Sequence, residues 1–199
     1  MIFLNILFDL DGTLVSTYNS IISGLQKAAG RKLDEEKLLS LLKVNSYVAF
    51  KYFNLDDDVR SRFKEIERKI PPSEKKPFPD IEKVLGESNI NVIVTHKDRQ
   101  SAEALLKYWK LDRYFEEILC LEDDDFPRKP EVASYEYLHN KYHIDLVVGD
   151  RELDFIPARK LGIPTCAFQN PKVEADFHIN SYREFNNVKQ ALKKESKGF

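Results

Sequence analysis

Two aspartates follow the first apolar run of the chain, in the segment FDLDGT. Gly12 comes directly after them and permits a sharp turn that aims Asp9 and Asp11 at one pocket. A second acidic segment, GDRELD, places Asp150 and Asp154 after a later apolar run. Carboxylates that converge repel one another unless a cation lies among them, and hard oxygen ligands favour Mg²⁺ over softer transition metals. These acids therefore indicate a magnesium site.

A hydroxyl and an ammonium group stand at comparable places in the chain. Thr95 ends the apolar run INVIVT, and Lys129 lies in the segment RKP ahead of a helical pattern. Near a magnesium ion, these two groups suit an anionic ligand, most simply a phosphate. His96 either touches the substrate or has a structural or merely exposed role. Arg151, inside GDRELD, is expected to be solvated or paired at the rim of the site.

Each motif also has an ordinary structural explanation. The pair Asp9 and Asp11 would suit an acidic turn, since turns favour Asp and Gly. Thr95 could simply stand at the start of a helix, and Asp150 could cap the next one. Lysines such as Lys129 are exposed in most proteins. The chemical interpretation rests on the occurrence of all these residues together.

The elements that must position these residues alternate along the chain. Nearly continuous apolar runs at 2–8, 90–95, 118–120, 144–149 and 164–168 are separated by amphipathic helical patterns. This order is typical of a parallel sheet with helices on both faces. The sequence therefore predicts an α/β fold, a Rossmann-like doubly wound parallel sheet. Ligands of such sheets bind beyond the carboxyl ends of the strands, which is where the candidate residues stand.

Residues 16–77 interrupt this alternation, because they carry helical stripes and no strand pattern. The segment ends in PPSEKKPFP, which holds four of the nine prolines and cannot continue a helix. We expect a helical cap domain over 16–77, inserted into a core formed by 1–15 and 78–199. The aromatic residues Tyr47, Phe50, Tyr52 and Phe53 either line a substrate pocket or build the small core of the cap.

Composition excludes several classes of protein. The chain has 31 basic and 33 acidic residues, and a net charge of −2 argues against a nucleic-acid surface. No apolar run is long enough to cross a bilayer, and the start lacks the pattern of a secretory signal. Cys120 and Cys166 are too few for a disulfide framework and are expected to be buried thiols. We therefore expect a cytoplasmic protein without nucleic-acid or membrane partners; its oligomeric state stays open.

In this order, the motifs resemble those of the haloacid-dehalogenase-type superfamily of phosphotransferases. FDLDGTLV is similar to the first motif, DxDGT, and Thr95 stands where the second motif ends its strand. Lys129 looks like the third motif, and GDRELD is similar to the fourth, GDxxxD. The insertion takes the place of the small α-helical cap found in the phosphoglycolate-phosphatase and β-phosphoglucomutase branch. The resemblance covers nearly the whole chain.

The resemblance implies a role for each motif residue. Asp9 would be the nucleophile that forms an aspartyl-phosphate, and Asp11 would be the general acid and then the base. Thr95 and Lys129 would bind the phosphoryl group. His96 departs from the family's commonest second motif and could touch the substrate or the cap. The implied magnesium site is formed by Asp9, the main-chain carbonyl of Asp11, Asp150 and, in support of the metal or of Lys129, Asp154.

The function that the resemblance implies is a Mg²⁺-dependent phosphatase that hydrolyses a small phosphomonoester, as phosphoglycolate phosphatases do. A phosphomutase of the β-phosphoglucomutase type would use the same core, and a non-catalytic protein that binds phosphate or a partner protein is a third alternative. The partner expected in the first case is a small phosphorylated metabolite. Phosphoglycolate, a sugar phosphate and a nucleoside monophosphate would all fit.

Overall fold

A parallel sheet forms the centre of the molecule. The computed structural model describes residues 3–195, which form six parallel strands in the order β3-β2-β1-β4-β5-β6. The strands are β1 (Asn5–Phe8), β2 (Ile90–Thr95), β3 (Glu117–Cys120), β4 (Leu146–Gly149), β5 (Thr165–Phe168) and β6 (Phe177–Ile179). The strand order reverses beside β1, which pairs with both β2 and β4. The predicted doubly wound α/β fold is confirmed, and this reversal marks the ligand site expected of such sheets.

The carboxyl ends of the predicted strands agree with the structure, whereas some amino ends do not. β1 begins at Asn5 rather than at residue 2, and Ile2 itself lies outside the described residues. β6 was not predicted from the sequence. It has three residues, of which only Ile179 is buried, so it carries too little apolar pattern to be recognised.

Five core helices cover the two faces of the sheet. Side chains of a strand alternate between faces, so Ile6 and Phe8 join one apolar cluster while Leu7 joins the other. Asp98 begins α6 by accepting a hydrogen bond from the Ser101 amide at 3.0 Å. The core helices are α5 (Ile81–Gly86), α6 (Arg99–Tyr108), α7 (Ala133–Tyr142), α8 (Glu152–Lys160) and α9 (Phe185–Glu195).

Residues 18–69 form helices with an apolar cluster of their own. These helices are α1 (Tyr18–Ala29), α2 (Glu35–Leu42), α3 (Ser46–Tyr52) and α4 (Asp57–Lys69). Their cluster includes Leu25, Leu38 and Phe50 and is separate from the two clusters of the sheet. Gly30 ends α1 with a φ of 65°, a left-handed conformation that glycine adopts without strain. We propose that residues 16–77 form a cap domain, and we call this segment the cap.

The two connections between cap and core lie side by side. The Ser16 amide donates to the Lys76 carbonyl at 2.8 Å, and the Phe78 amide donates to the Leu14 carbonyl at 3.0 Å. Val15 and Pro77 thereby form an antiparallel bridge. The chain enters and leaves the cap through this one ribbon.

The two cysteines and the lengths of the helices also bear on expectations from the sequence. Cys120 and Cys166 are buried with free thiols, as expected from the sequence. Among residues 3–195, none of the helices combines the length and the apolar character that a membrane crossing requires.

Candidate active site

Residues that are far apart in the chain meet at the carboxyl edge of the sheet. Asp9 follows β1, Thr95 ends β2, and Asp150 follows β4. Carboxylate oxygens of Asp9, Asp150 and Asp154 lie within 4.8 Å of one another, and all three residues are buried. Lys129 reaches them from the loop between β3 and α7. This is the edge at which the sequence predicts the site.

Lys129 holds two of these carboxylates together. Its Nζ atom lies 2.6 Å from Asp9 Oδ1 and 2.6 Å from Asp154 Oδ1, and it donates to the Val94 carbonyl at 3.1 Å. Burial would lower the pKa of Lys129, but the charges of Asp154 and Asp9 outweigh it and raise that pKa. The side chain is completely buried and stays cationic. Lys129 therefore neutralises much of the acidic charge.

Two carboxylate oxygens have the character of metal ligands. Asp9 Oδ2 and Asp150 Oδ1 are buried and, within the described part of the chain, have no hydrogen-bond partner. Burial raises the pKa of Asp150 to about 7, because the ionised form is separated from water. Burial and the charge of Asp154 also raise the pKa of Asp9. A divalent cation would satisfy both orphaned oxygens, so this donor set fits Mg²⁺.

Two glycines keep space open beside these acids. A Cβ atom on Gly12, whose φ is 83°, would lie 2.8 Å from Asp150 Oδ2 and 2.4 Å from the Tyr18 ring. A Cβ atom on Gly149 would lie 2.6 Å from the Cβ atom of Asp154. All three distances are too short for a side chain, so glycine is required at both positions.

Asp154 contributes to the site through its neighbours. Its Oδ1 atom accepts from Lys129, and its Oδ2 atom accepts from the Arg151 amide at 3.1 Å. Burial alone would raise the pKa of Asp154, but the charges of Lys129 and Arg151 outweigh it and lower that pKa. Both oxygens are thus engaged, and this geometry suits orientation of Lys129 better than direct metal binding. The predicted role of Asp154 as a metal residue stays a prediction.

Asp11 faces a lysine that also contacts the cap. Lys97 Nζ lies 3.2 Å from Asp11 Oδ2 and 2.8 Å from Glu67 Oε1 on α4. Burial would lower the pKa of Lys97, but the charges of Asp11 and Glu67 outweigh it and raise that pKa. Asp11 Oδ1 is buried and has no hydrogen-bond partner among residues 3–195. Cap and core are therefore joined at the residue proposed as the acid and base.

Thr95 and His96 lie in the turn after β2. Thr95 is 1% exposed, and its Oγ1 atom accepts from the Lys97 amide at 3.1 Å. The helix that follows is capped by Asp98, so Thr95 is not its N-terminal residue. His96 Nε2 accepts from the Lys129 amide at 3.1 Å. Burial, with the charges of Lys129, Arg151 and Arg128, lowers the pKa of His96 to about 2, so this ring is neutral near neutral pH.

The neutral state of His96 predicts a pH dependence of stability. Its folded-state pKa lies below the value of about 6.5 in an unfolded chain, so acidification protonates only the unfolded form. This one residue is expected to lower the free energy of unfolding by up to about 1.4 kcal/mol per pH unit below about pH 6.5. Urea titrations at a series of pH values should show that the free energy of unfolding falls more steeply with decreasing pH in the wild type than in His96→Gln. Equal slopes would contradict the prediction, and His178→Gln, at an exposed position, is the control.

A cavity of about 620 Å³ lies between the cap and this edge of the sheet. Tyr47 and Phe50 line it from the cap, and Phe50 also packs in the apolar cluster of the cap, so both interpretations of these aromatics apply. The other two, Tyr52 and Phe53, pack edge to face against each other at 5.0 Å. The described lining residues include more cations than acids: Arg60, Lys64, Arg68, Lys97, Arg128, Lys129 and Arg151 against Glu67, Asp98 and Glu122. The cavity therefore favours anionic ligands.

Several residues of the site were not recognised in the sequence. Tyr18, on the first cap helix, donates its hydroxyl to Asp150 Oδ2 at 2.7 Å, and Asn170 donates to the Asp150 carbonyl at 2.7 Å. Arg151, expected at the rim, has a side chain only 14% exposed among the carboxylates. The sequence did offer one signal for a role of Arg151 in the site, because this residue follows the carboxyl end of β4 and the candidate ligand Asp150. Tyr18 and Lys97 stand in segments whose patterns are those of ordinary helices and turns.

Several known proteins similar to this chain are described as pyrophosphatases or phosphatases. A family model described as haloacid dehalogenase-like hydrolase matches residues 6–168. "Putative pyrophosphatase PpaX" of Caldanaerobacter subterraneus subsp. tengcongensis is 28% identical over 176 residues, 81% of this chain and 80% of that protein. "Pyrophosphatase PpaX" of Bacillus cereus is 25% identical over 191 residues, 81% of each chain. A crystal structure from Lactobacillus plantarum, described as a "putative phosphoglycolate phosphatase", superposes with a TM-score of 0.81 at 14% identity. It covers 94% of this chain and 100% of that one, and at this identity the likeness concerns the fold.

Proposed function

The chain belongs to the haloacid dehalogenase-like hydrolase family, and from this premise we propose that it is a magnesium-dependent phosphatase. It releases inorganic phosphate from a small phosphorylated substrate through an aspartyl-phosphate on Asp9. The observation that carries the proposal is the meeting of Asp9, Asp150 and Lys129 at one buried point, with one oxygen of each aspartate unpartnered among residues 3–195.

The first half-reaction makes and breaks one bond to phosphorus. Asp9 attacks the phosphorus atom through a carboxylate oxygen while the bond to the leaving oxygen breaks, and Asp11 gives that oxygen a proton. Lys129 donates to Asp9 Oδ1 at 2.6 Å and so fixes the orientation of this carboxylate. In the second half, Asp11 takes a proton from a water molecule, which attacks phosphorus and restores Asp9. Thr95 donates a hydrogen bond to a phosphoryl oxygen during both steps.

The magnesium ion would be held by Asp9, Asp150 and the main-chain carbonyl of Asp11. When bound, it would neutralise charge on the phosphoryl group and keep Asp9 ionised. Tyr18 orients Asp150 for this purpose by donating to its other oxygen at 2.7 Å. Residues of the cap thereby help to shape the site on the core.

The cavity supports a substrate with a second anionic group. Arg60, Lys64 and Arg68 are spaced by four residues on α4 and line the cavity from the cap, whereas Lys129 and Arg151 line it from the core. Pyrophosphate, named in the two PpaX relatives, and phosphoglycolate, named in the structural neighbour, each carry a second anion beside the phosphoryl group. We infer that small substrates with two anionic groups are preferred over simple monoesters.

Removal of magnesium is expected to abolish phosphate release. Activity on pyrophosphate and phosphoglycolate should fall to background with EDTA and return with added MgCl₂, because the buried acids need a cation to receive a phosphoryl group. Asp150→Asn should need at least about tenfold more Mg²⁺ for half-maximal activity, since it removes an anionic ligand. Asp145→Asn is the matched control, because Asp145 precedes β4 at its amino end whereas Asp150 follows β4 at its carboxyl end. Full activity in EDTA would contradict the proposal.

Comparison of substrates tests the second anionic group. Pyrophosphate and phosphoglycolate should have kcat/KM values at least about tenfold above that of methyl phosphate, which lacks a second anion. The advantage should shrink as the salt concentration rises, because exposed charges on the cap are screened. Equal kcat/KM values for all three compounds would contradict this preference and leave the phosphatase proposal standing.

A further inference from the structure

Arg151 lies among three carboxylates without bonding closely to any of them. Its Nη2 atom is 3.6 Å from Asp9 Oδ1, and its Nε atom is 3.8 Å from Asp150 Oδ1 and 4.0 Å from Asp154 Oδ2. These separations exceed hydrogen-bond lengths. The Nε atom is buried and, in the described part of the chain, has no hydrogen-bond partner. A guanidinium group with free donors therefore stands beside the proposed nucleophile.

Charge compensation alone does not account for this arrangement. Lys129 pairs with Asp9 and Asp154 at 2.6 Å each, whereas Arg151 forms no pair this short with any of the three carboxylates. An arginine that serves only to balance a carboxylate forms a short, often forked pair with it. Arg151 instead lines the cavity, next to Lys129 on the core side. Part of the Arg151 side chain therefore borders a space that can receive a ligand.

The backbone under Arg151 holds the side chain in place. The residue is the N-cap of α8, and its amide donates to Asp154 Oδ2 at 3.1 Å. Asp154 is in turn held by Lys129, so the anchor of the guanidinium group and the anchor of Asp9 are the same buried network. A cation on such a support requires little reorganisation when an anion arrives.

We propose that Arg151 binds the phosphoryl group that is transferred to Asp9, as a second cationic ligand beside Lys129. A phosphoryl group on the Asp9 carboxylate falls within reach of a guanidinium whose Nη2 atom is 3.6 Å from that carboxylate. Arg151 forms no covalent bond in the reaction; it donates hydrogen bonds to phosphoryl oxygens and neutralises their charge. The inference rests on the proposed function, and it adds a substrate ligand that the motif GDxxxD does not specify.

Calorimetric titration with inorganic phosphate in the presence of MgCl₂ tests this role. Arg151→Gln should weaken phosphate binding by about 10- to 100-fold, since a charge-assisted hydrogen-bond donor is lost. Arg151→Lys should bind with intermediate affinity, because it keeps the charge but not the fork. Arg159→Gln, on the same helix but paired with Glu152 and outside the cavity lining, should bind phosphate as the wild type does. Circular dichroism verifies that each variant is folded.

A Mg²⁺ titration of the same variants separates the two roles of a buried cation. A phosphate ligand predicts that Arg151→Gln weakens phosphate binding while Mg²⁺ binding does not weaken. If Arg151 only balances charge, Arg151→Gln should bind Mg²⁺ more tightly and bind phosphate within about twofold of the wild type, and that result would overturn the inference. If Arg151→Gln does not fold, wild-type affinity in Arg151→Lys would overturn it equally.

Failure of the proposed function has a different signature. A wild-type protein that releases no phosphate from any ester or from pyrophosphate would refute the phosphatase. The phosphate titration would still report whether Arg151 belongs to an anion site. An active wild type whose phosphate affinity ignores Arg151 would refute only the inference.

Discussion

Replacement of Asp9 by asparagine is expected to lower kcat/KM for phosphate release by at least about 10³-fold. The asparagine side chain has nearly the same shape but lacks the anionic oxygen that would form the bond to phosphorus. In the wild type, Asp9 is 1% exposed, and Lys129 donates to its Oδ1 atom at 2.6 Å. Steady-state assays with pyrophosphate and with phosphoglycolate measure the effect. Activity within about tenfold of the wild type would refute an aspartyl-phosphate on this residue.

The same variant should be at least as stable as the wild type without metal. Burial and Asp154 raise the pKa of Asp9 despite the opposing charges of Lys129 and Arg151. A carboxyl with a raised pKa destabilises the folded protein at pH values where it is ionised, and asparagine removes that cost. Urea unfolding at neutral pH should show an equal or higher midpoint. Asp57→Asn, at a side chain 99% exposed on the cap, is the control for both measurements.

Lys129→Met is expected to have the largest effect on stability. It keeps most of the side-chain volume but leaves Asp9 and Asp154 facing each other in a buried site without the ammonium group that lies 2.6 Å from each. Removal of one member of a buried ion pair costs about 3–5 kcal/mol of unfolding free energy. Urea titration at neutral pH measures the loss. Lys141→Met, which breaks an exposed pair with Glu117, should have a far smaller effect.

The pH dependence of this loss identifies its cause. In the wild type, Lys129 and Arg151 hold the pKa of Asp154 low against the effect of burial, so this carboxylate stabilises the fold above its unfolded pKa and loses that effect as pH falls. Without Lys129, burial should raise the pKa of Asp154 and of Asp9. Protonation of these two carboxyls then removes their repulsion and stabilises the folded protein. The difference in unfolding free energy between variant and wild type should therefore shrink from about pH 7 towards about pH 4. A difference that does not change with pH would indicate lost packing instead.

The carboxyl ends of β1 to β5 were predictable because an apolar run stops at each of them. INVIVT is apolar or β-branched almost throughout, so Thr95 had to lie where the chain leaves the sheet. Asp9 and Asp150 follow comparable runs, and the parallel arrangement brings their ends to one edge. The cation-lined cavity was less accessible, because charged residues on a helix such as α4 are ordinarily solvated.

Contacts between distant segments account for what the sequence did not reveal. The meeting of Lys97 with Glu67 requires that α4 pack over the turn after β2, and no local pattern specifies this packing. Arg151 is polar and follows a strand end, so solvent was the default expectation for its side chain. The structure turns it inward because Asp154, three residues later, binds its amide and starts the helix there. Tyr18 likewise lies 132 positions from Asp150 in the chain, so no local pattern specifies their contact.

The ribbon formed by the Ser16–Lys76 and Phe78–Leu14 hydrogen bonds bears on how such a molecule can diversify. Because both ends of the cap meet at one place, its length and sequence can change between the two connections without moving the strand ends, provided that Tyr18 keeps its contact with Asp150. Natural variation or laboratory recombination can thus replace the cap while the core is kept. The core would then determine the reaction, and the cap would determine which substrate is accepted.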